Sequence, residues 1–277
     1  MGYLFAVTLL WAFSFSLIGV YLAGQVDAWF SVLIRVALAT LVFLPFLKPK
    51  LTSKPLALKL MLIGAVQLGV MYSFYYHSFL FLSVPEVLLF TVMTPLYITL
   101  LNDALNKHFN PRFFAVALIA VLGAVAIRWQ NLNSHFIIGL LLVQGANISF
   151  ATGQVTYKRL MATNQLDDKT VFGWFFIGAL VVASACYALF GNTSKLPSTP
   201  TQWGILIYLG IVASGLGYFL WNKGATKVNV GALAVMNNVL IWNKNADIMR
   251  LSMGGAIMLA ALVINQIGTN KQNVTSL

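Results

Sequence analysis

The sequence has little charge and few of the residues that catalysis requires. Only 8% of its 277 residues are charged, and it contains six acidic residues, three histidines and one cysteine. Soluble domains carry about 25% charged residues, so this composition excludes an ordinary water-soluble fold. Because Cys186 is single, an internal disulfide is excluded as well.

The same shortages argue against an enzyme. The sequence contains no phosphate-binding loop, and no cluster of His and Cys has the spacing of a metal site. We therefore expect no enzymatic activity, no cofactor, no bound metal and no direct use of ATP. Such a chain is suited to the binding and movement of a molecule.

Apolar residues, in contrast, are abundant and come in long runs. They make up 60% of the chain, and the mean hydropathy is +0.85. A hydrocarbon core of about 30 Å requires about 20 apolar residues per helical crossing. Segments of nearly that length occur at 3–22, 28–47, 58–82, 86–104, 112–129, 136–157, 170–190 and 203–222, followed by shorter candidates at 230–242 and 251–268. Since lipid cannot satisfy free backbone groups, we predict an all-α integral membrane protein with ten transmembrane helices.

The net charge of +11 is explained by membrane orientation rather than by an anionic partner. With the amino terminus in the cytoplasm, twelve Lys and Arg residues fall on the inside and four on the outside. The inside set is Lys48, Lys50, Lys54, Lys59, Lys107, Arg112, Lys158, Arg159, Lys169, Lys223, Lys227 and Lys271, and the outside set is Arg128, Lys195, Lys244 and Arg250. The positive-inside rule predicts such a bias. We therefore expect a multi-pass protein of the bacterial inner membrane, with both termini cytoplasmic and no nucleic-acid partner.

The two halves of the chain resemble each other. In the first half Tyr75 closes a helix and the next helix contains Pro95, whereas in the second half Tyr218 closes a helix and the next segment contains Asn237 and Asn238. A repeat of five helices has an odd number of crossings, so two copies enter the membrane from opposite sides, as in secondary transporters. We predict two inverted five-helix repeats, residues 1–131 and 132–277, around a central cavity.

Several motifs carry a resemblance to a known family. They are Leu10-Trp11-Ala12-Phe13-Ser14-Phe15, Arg35-Val36-Ala37-Leu38-Ala39, the stretch from Tyr75 to Pro95, and Gly215-Leu216-Gly217-Tyr218-Phe219-Leu220-Trp221. Together they resemble the EamA repeats of the drug/metabolite transporter superfamily, in particular its carboxylate, amino-acid and amine transporters. The resemblance covers nearly the whole chain. It implies ten helices, a central cavity, alternating access and export of small metabolites.

The ninth segment departs from this pattern. From Gly231 to Trp242 it is twelve residues long and would span about 18 Å, against a hydrocarbon core of about 30 Å. We hypothesise that about eight to ten residues are missing between Asn238 and Val239, where the family has a Pro-containing stretch.

Polar residues inside the membrane mark a transport pathway, because they are costly there and face the interior of the bundle. Gln144, Asn147 and Gln154 recur on one face of the sixth segment. We expect this polar stripe to line the pathway, and ordinary hydrogen bonds between helices are the alternative. Asn237 and Asn238 in the ninth segment are further candidates for substrate binding.

Aromatic faces provide a second set of candidates. Residues spaced along one face of the third segment and one face of the eighth could stack on a substrate or hold a cation, and helix packing is the alternative. With two residues of the first segment, the set is Trp11, Ser14, Tyr72, Tyr76, Tyr218 and Trp221.

Three ionisable residues, Arg35, His77 and Glu86, are candidates for a charge pair or for coupling. Arg35 could bind a substrate carboxylate, but we favour a pair with Glu86 or a backbone carbonyl, because a permanent buried charge needs a permanent partner. Glu86 follows Pro85 at the start of a helix. His77 is a candidate for proton coupling, although helix packing is the commoner role of such a histidine.

The leading hypothesis is a secondary transporter that exports small amphipathic metabolites, such as amino acids or amines, by alternating access. Its partners would be the metabolite, the lipid bilayer, and protons or a counter-substrate. A membrane scaffold or receptor-like protein without a transport cycle is the alternative. The sequence leaves the oligomeric state open.

Overall fold

A computed structural model describes residues 2–91, 93–107, 134–164 and 167–227. Seven helices in this part are long and apolar enough to cross a membrane, and no strand occurs among the described residues. They are α1 Gly2–Leu22, α2 Ala28–Phe46, α3 Lys54–Ser78, α4 Val84–Leu105, α5 His135–Asn164, α6 Asp168–Phe190 and α7 Pro200–Ala225. Single helical turns at Pro49–Leu51 and Thr193–Lys195 lie in the loops.

The all-helical, multi-pass architecture is therefore confirmed. The predicted segments 112–129, 230–242 and 251–268 lie outside the described residues, as does the proposed gap between Asn238 and Val239. The count of ten helices, the inverted repeats and the boundary between residues 131 and 132 stay predictions.

The local sequence sets where several helices begin. At the start of α2 the Asp27 carboxylate accepts a hydrogen bond from the backbone N–H of Phe30, at 2.7 Å. At the start of α7, Thr199 and Gln202 satisfy each other's backbone N–H groups in a capping box, followed by Pro200 at the first helical turn. These side chains accept hydrogen bonds from the first N–H groups of the helix, which have no acceptor within the helix itself.

Three of the helices contain a wider, π-helical stretch. The stretches are Ile18–Leu22 in α1, Ala65–Val70 in α3 and Tyr208–Leu216 in α7. Such turns are rare and are concentrated at functional sites. Two of them lie in α3 and α7, the helices that the repeat prediction pairs with each other, and these helices also carry most of the polar groups described below.

A break in α4 is repaired by polar side chains. Pro95 has no backbone N–H, so the carbonyl of Thr91 lacks its usual helical donor. The Thr94 hydroxyl donates to that carbonyl at 2.7 Å, and Asn147 of α5 donates from Nδ2 to the carbonyl of Phe90 at 2.9 Å. In a bilayer such groups must be satisfied within the protein. The packing of α5 against α4 therefore depends on this site.

The contact between α3 and α6 is close enough to involve backbone. A Cβ atom on Gly64 would overlap the carbonyl oxygen of Phe175, and a Cβ on Gly178 would overlap that of Met61. Small residues permit such approach in membranes, where helix association depends on packing. Beside this contact lies a buried cluster of rings, formed by Phe43, Phe172, Phe175, Phe176 and Phe219.

The helices place the basic residues mainly at one end of the bundle. At the other end, the backbone N–H of Asp27 donates to the carbonyl of Lys195 at 2.7 Å, which joins the α1–α2 and α6–α7 loops. Apart from Arg35, the described residues have one Lys or Arg at that end, Lys195, and ten at the opposite end. We call the latter the basic end. The positive-inside rule predicts that the basic end is cytoplasmic.

This orientation predicts the outcome of a labelling experiment. In a protein carrying Cys186→Ala, we expect Thr193→Cys to react with an impermeant thiol reagent added to intact cells, and Ser53→Cys to react only after permeabilisation. Both positions are exposed, at opposite ends of the bundle. Labelling of Ser53→Cys from outside would reverse the orientation.

Candidate functional site

A buried cation lies between α2, α3 and α7. The side chain of Arg35 is 3% exposed. Its Nε donates to the Ser214 hydroxyl at 2.5 Å and its Nη1 to the Tyr76 hydroxyl at 3.3 Å. The guanidinium carbon lies 4.1 Å from the centre of the Tyr72 ring, and the hydroxyls of Tyr72 and Ser214 are 2.8 Å apart. We call Arg35, Tyr72, Tyr76 and Ser214 the arginine site.

The arginine site has no acidic member in the described part of the chain. Five of the six acidic residues are described, and no ion pair or hydrogen bond joins one of them to Arg35. Glu86 instead accepts from the N–H and hydroxyl of Ser83, at 2.8 and 2.7 Å. The sequence predicted that Arg35 pairs with Glu86 or with a backbone carbonyl. In the structure its partners are instead hydroxyls and aromatic rings. A buried charge is costly without an opposite charge, so the site is suited to receive an anion.

An aromatic cluster adjoins the arginine site toward the basic end. The Trp11 ring lies 4.9 Å from those of both Tyr218 and Trp221 and 6.2 Å from that of Phe150. Tyr218 also packs against Tyr72 at 5.8 Å, which links this cluster to the arginine site. The Trp11 N–H donates to the carbonyl of Ala213, in the π-helical stretch of α7, at 2.9 Å.

Three buried amides lie beyond these rings. Gln67 of α3 donates from Nε2 to Oδ1 of Asn222 in α7 at 3.2 Å. Gln154 of α5 accepts from the Trp221 indole N–H at 3.0 Å. We call Gln67, Gln154 and Asn222 the amide site. All three are at most 1% exposed.

The polar stripe predicted on α5 has two different sets of neighbours. Gln154 meets α7, whereas Gln144 and Asn147 meet the break in α4. Asn147 Oδ1 accepts from Thr94 at 3.0 Å, and Gln144 Oε1 accepts from Tyr97 at 3.0 Å. These contacts favour the alternative of hydrogen bonds between helices for Gln144 and Asn147.

The remaining predicted site residues lie apart from the arginine and amide sites or outside the described chain. Ser14 donates to the carbonyl of Leu10 in its own helix. His77 Nδ1 is 2.7 Å from the carbonyl oxygen of Ser73, and its ring lies 4.2 Å from that of Trp29. These contacts favour a packing role for His77. Asn237 and Asn238 lie outside the described residues.

Comparison with known proteins assigns the chain to a family. The sequence matches the EamA-like transporter family over residues 1–129 and 137–241. The chain belongs to this family. It is thus a membrane transporter rather than an enzyme, and the resemblance identified from its motifs is confirmed.

Several relatives of this EamA transporter are similar over nearly their whole length. A probable biotin transporter of Pseudomonas aeruginosa is 50% identical over 280 residues, which cover 97% of this chain and 98% of that protein. The biotin transporter of Escherichia coli K12 is 48% identical over 277 residues, covering 96% and 93%. A protein of known crystal structure matches with a TM-score of 0.62 and 17% identity over 98% of this chain and 97% of that one, which supports the fold alone.

Three residues of these sites in the EamA transporter were not among the binding candidates predicted from the sequence. Gln67 lies in the middle of an apolar helix, and that alone marks it as costly in lipid. Asn222 precedes Lys223 near the end of α7, so its burial was not evident from the sequence. Ser214 shares a helical face with Tyr218, but its pairing with Arg35 depends on how α2 packs against α7.

The contacts of Asn147 in the EamA bundle lead to a stability prediction. We expect Asn147→Leu to lower the free energy of unfolding by about 1–3 kcal/mol, since it removes two buried hydrogen bonds, one to the carbonyl of Phe90 and one from the hydroxyl of Thr94. Thermal unfolding in detergent measures this change. Asn164→Leu, an exposed position on the same helix, is the control. If Asn147→Leu and wild-type protein had equal melting temperatures, the prediction that Asn147 lines the transport pathway would be favoured instead.

Proposed function

We propose that this secondary transporter carries biotin, or a closely related carboxylate, across the bacterial inner membrane. The observation that carries the proposal is the similarity, at about half identity over nearly the whole of both chains, to relatives named as biotin transporters. The arginine site supports it, because biotin has one carboxylate and is otherwise uncharged. A guanidinium binds a carboxylate through two parallel N–H groups.

The same observations replace the amino acids and amines expected from the sequence. An amine would bring a second positive charge next to Arg35, and the described residues place no carboxylate there to balance it. Neighbouring like charges in a low-dielectric site repel each other strongly. A substrate with a single negative charge avoids this repulsion, and amino-acid export is no longer proposed.

The aromatic cluster gives the apolar part of such a substrate a place to pack. Trp11, Tyr218 and Trp221 place large rings beside the arginine site, toward the basic end of the bundle. Aromatic side chains bind apolar bodies and retain a polar edge. We propose that these rings contact the fused rings of biotin while Arg35 holds the carboxylate.

Alternating access is the mechanism proposed for movement. The arginine site joins α2 and α3 to the π-helical stretch of α7, so bound anion would bridge helices from both halves of the chain. Secondary transporters place substrates between two such halves near the midplane. Protons or a counter-substrate remain the proposed coupling partners, and net direction then follows the coupled gradients.

Ligand-induced stabilisation tests the substrate. At a biotin concentration 100 times Kd, binding raises the free energy of unfolding by about 2.7 kcal/mol. We therefore expect biotin to raise the melting temperature of the purified protein, while alanine, lysine and putrescine leave it unchanged. Stabilisation by the amino acids or the amine without any by biotin would contradict the proposal. A scaffold without a substrate site would respond to none of the four.

A further inference from the structure

The amide site has hydrogen-bonding groups that the protein leaves unused. Gln67 Oε1, Gln154 Nε2 and Asn222 Nδ2 are buried and have no hydrogen-bond partner within the described chain. Buried polar groups are nearly always paired, because an unpaired one destabilises the folded protein. Three such atoms on three helices at one site therefore require an explanation.

The mixture of donors and acceptors does not depend on how the amides are oriented. The indole N–H of Trp221 can only donate, so it fixes the Gln154 oxygen toward itself and leaves the Gln154 nitrogen free. Gln67 and Asn222 share one hydrogen bond. Turning both amides over keeps that bond and still leaves one free oxygen and one free N–H₂ group. The amide site thus offers two donors and one acceptor.

A urea group has the complementary pattern. Its carbonyl oxygen accepts two hydrogen bonds, and each of its N–H groups donates one. A carboxylate would lack the donor for the free oxygen of the Gln67 and Asn222 pair, and an amine would lack the acceptor for the two N–H₂ groups. The neutral urea also suits a site whose hydrogen bonds within the described chain join only neutral groups.

The spacing of the two sites fits one elongated ligand. Asn222 lies eight residues beyond Ser214 along α7, which is about 12 Å, and Gln67 lies five residues before Tyr72 along α3, about 8 Å. Both displacements point toward the basic end. Biotin carries its carboxylate and its cyclic urea at opposite ends, separated by four methylene groups and a fused ring. The rings of Trp11, Tyr218 and Trp221 lie between the two sites.

We propose that Gln67, Gln154 and Asn222 form a subsite for the cyclic urea of the substrate, with its carboxylate at Arg35. This inference rests on the proposed function and adds the recognition of the urea. Gly153 of α5 makes the subsite possible, because a Cβ there would overlap the side chain of Gln67. The Trp221 indole holds Gln154 in the orientation that leaves its N–H₂ group for the ligand.

Analogues that differ at one end separate the subsite from the rest of the site. Desthiobiotin keeps both the cyclic urea and the carboxylate, whereas lipoate has a carboxylate on a chain of the same length and no urea. We expect wild-type protein in detergent to bind biotin and desthiobiotin roughly 10- to 100-fold more tightly than lipoate, as unpaired amides predict. Equal affinity for biotin and lipoate would overturn the urea subsite and leave the proposed function intact. Failure to bind biotin would instead contradict the proposed function.

Two substitutions at Asn222 complete the test. Asn222→Leu should reduce biotin affinity to that for lipoate and leave lipoate affinity unchanged within about threefold. Asn222→Asp should reverse the preference between biotin and 2-iminobiotin, because an aspartate pairs with the cyclic guanidinium of the latter. Thr40→Val, which removes a buried hydroxyl between α2 and α6, is the control. It should alter neither the affinity ratio of biotin to lipoate nor that of biotin to 2-iminobiotin. Parallel loss of biotin and lipoate in Asn222→Leu, or an unchanged preference in Asn222→Asp, would overturn the subsite.

Discussion

Arg35→Ala is expected to abolish biotin transport and leave the protein folded. Arg35 is buried and bonds to the hydroxyls of Ser214 and Tyr76, with no carboxylate partner in the described chain, so removing it leaves no unpaired acid behind. The bound carboxylate, in contrast, would lose the guanidinium proposed to hold it. Truncating one member of a buried charge pair weakens binding by about 2–5 kcal/mol, or about 30-fold to several thousand-fold.

Biotin affinity and melting temperature of the same samples measure the two halves of this prediction. Arg159→Ala is the matched control, because Arg159 bonds to Asn102 and Asn106 at the basic end, away from the arginine site. Arg35→Lys keeps the charge without the planar fork and should recover binding only in part. Biotinol, which lacks the carboxylate, should bind wild-type and Arg35→Ala protein equally.

A different result would revive the structural interpretation of Arg35. If Arg35→Ala lowered the free energy of unfolding by about 3–5 kcal/mol, Arg35 would have a permanent partner. If the folded variant bound biotin as well as wild type, the substrate carboxylate would lie elsewhere.

Gly178→Leu is expected to prevent folding of the bundle. A Cβ at Gly178 would overlap the backbone of Met61, and the reciprocal contact of Gly64 with Phe175 prevents a small local shift from relieving it. Backbone cannot move aside as a flexible side chain can, so α3 and α6 must separate. Overpacking is unfavourable by about 1–3 kcal/mol, and by more where backbone must move, which is a large part of the stability of a typical protein.

Yield and monodispersity after extraction measure this effect. The control is Gly204→Leu in α7, since a Cβ at Gly204 meets no atom within 4 Å. The two substitutions add the same side chain to a helical glycine, and only one of them meets a neighbouring helix. Monodisperse Gly178→Leu protein at wild-type yield would show that α3 and α6 do not pack closely.

The sequence predicted the helices well because their signal is local. The segment expected at 86–104 is Val84–Leu105, and that expected at 170–190 is Asp168–Phe190. The third segment was placed four residues too late, at 58–82 instead of Lys54–Ser78. Lys54 and Lys59 lie in the first two turns of this helix, where their long side chains can reach the membrane surface.

The site was only partly predictable, because helical spacing shows which residues share a face but not which helix they meet. Gln144 and Gln154 lie on the same helix, yet Gln144 bonds to Tyr97 of α4 and Gln154 to Trp221 of α7. The partner of Arg35 was expected among acids and carbonyls, since a charge interacts with them most strongly. One of its two actual hydrogen-bond partners, Ser214, is 179 positions away, and only the packing of α2 against α7 identifies it.

Counterflow in proteoliposomes tests the central claim most directly, because it measures carrier-mediated exchange in either direction of net transport. Liposomes containing the purified protein are loaded with unlabelled biotin and diluted into trace labelled biotin. We predict that labelled biotin accumulates transiently above its level in liposomes without protein. Desthiobiotin should reduce this accumulation, and Arg35→Ala should abolish it. No accumulation with wild-type protein in vesicles that exchange labelled amino acids or amines would contradict the assignment of biotin as the substrate.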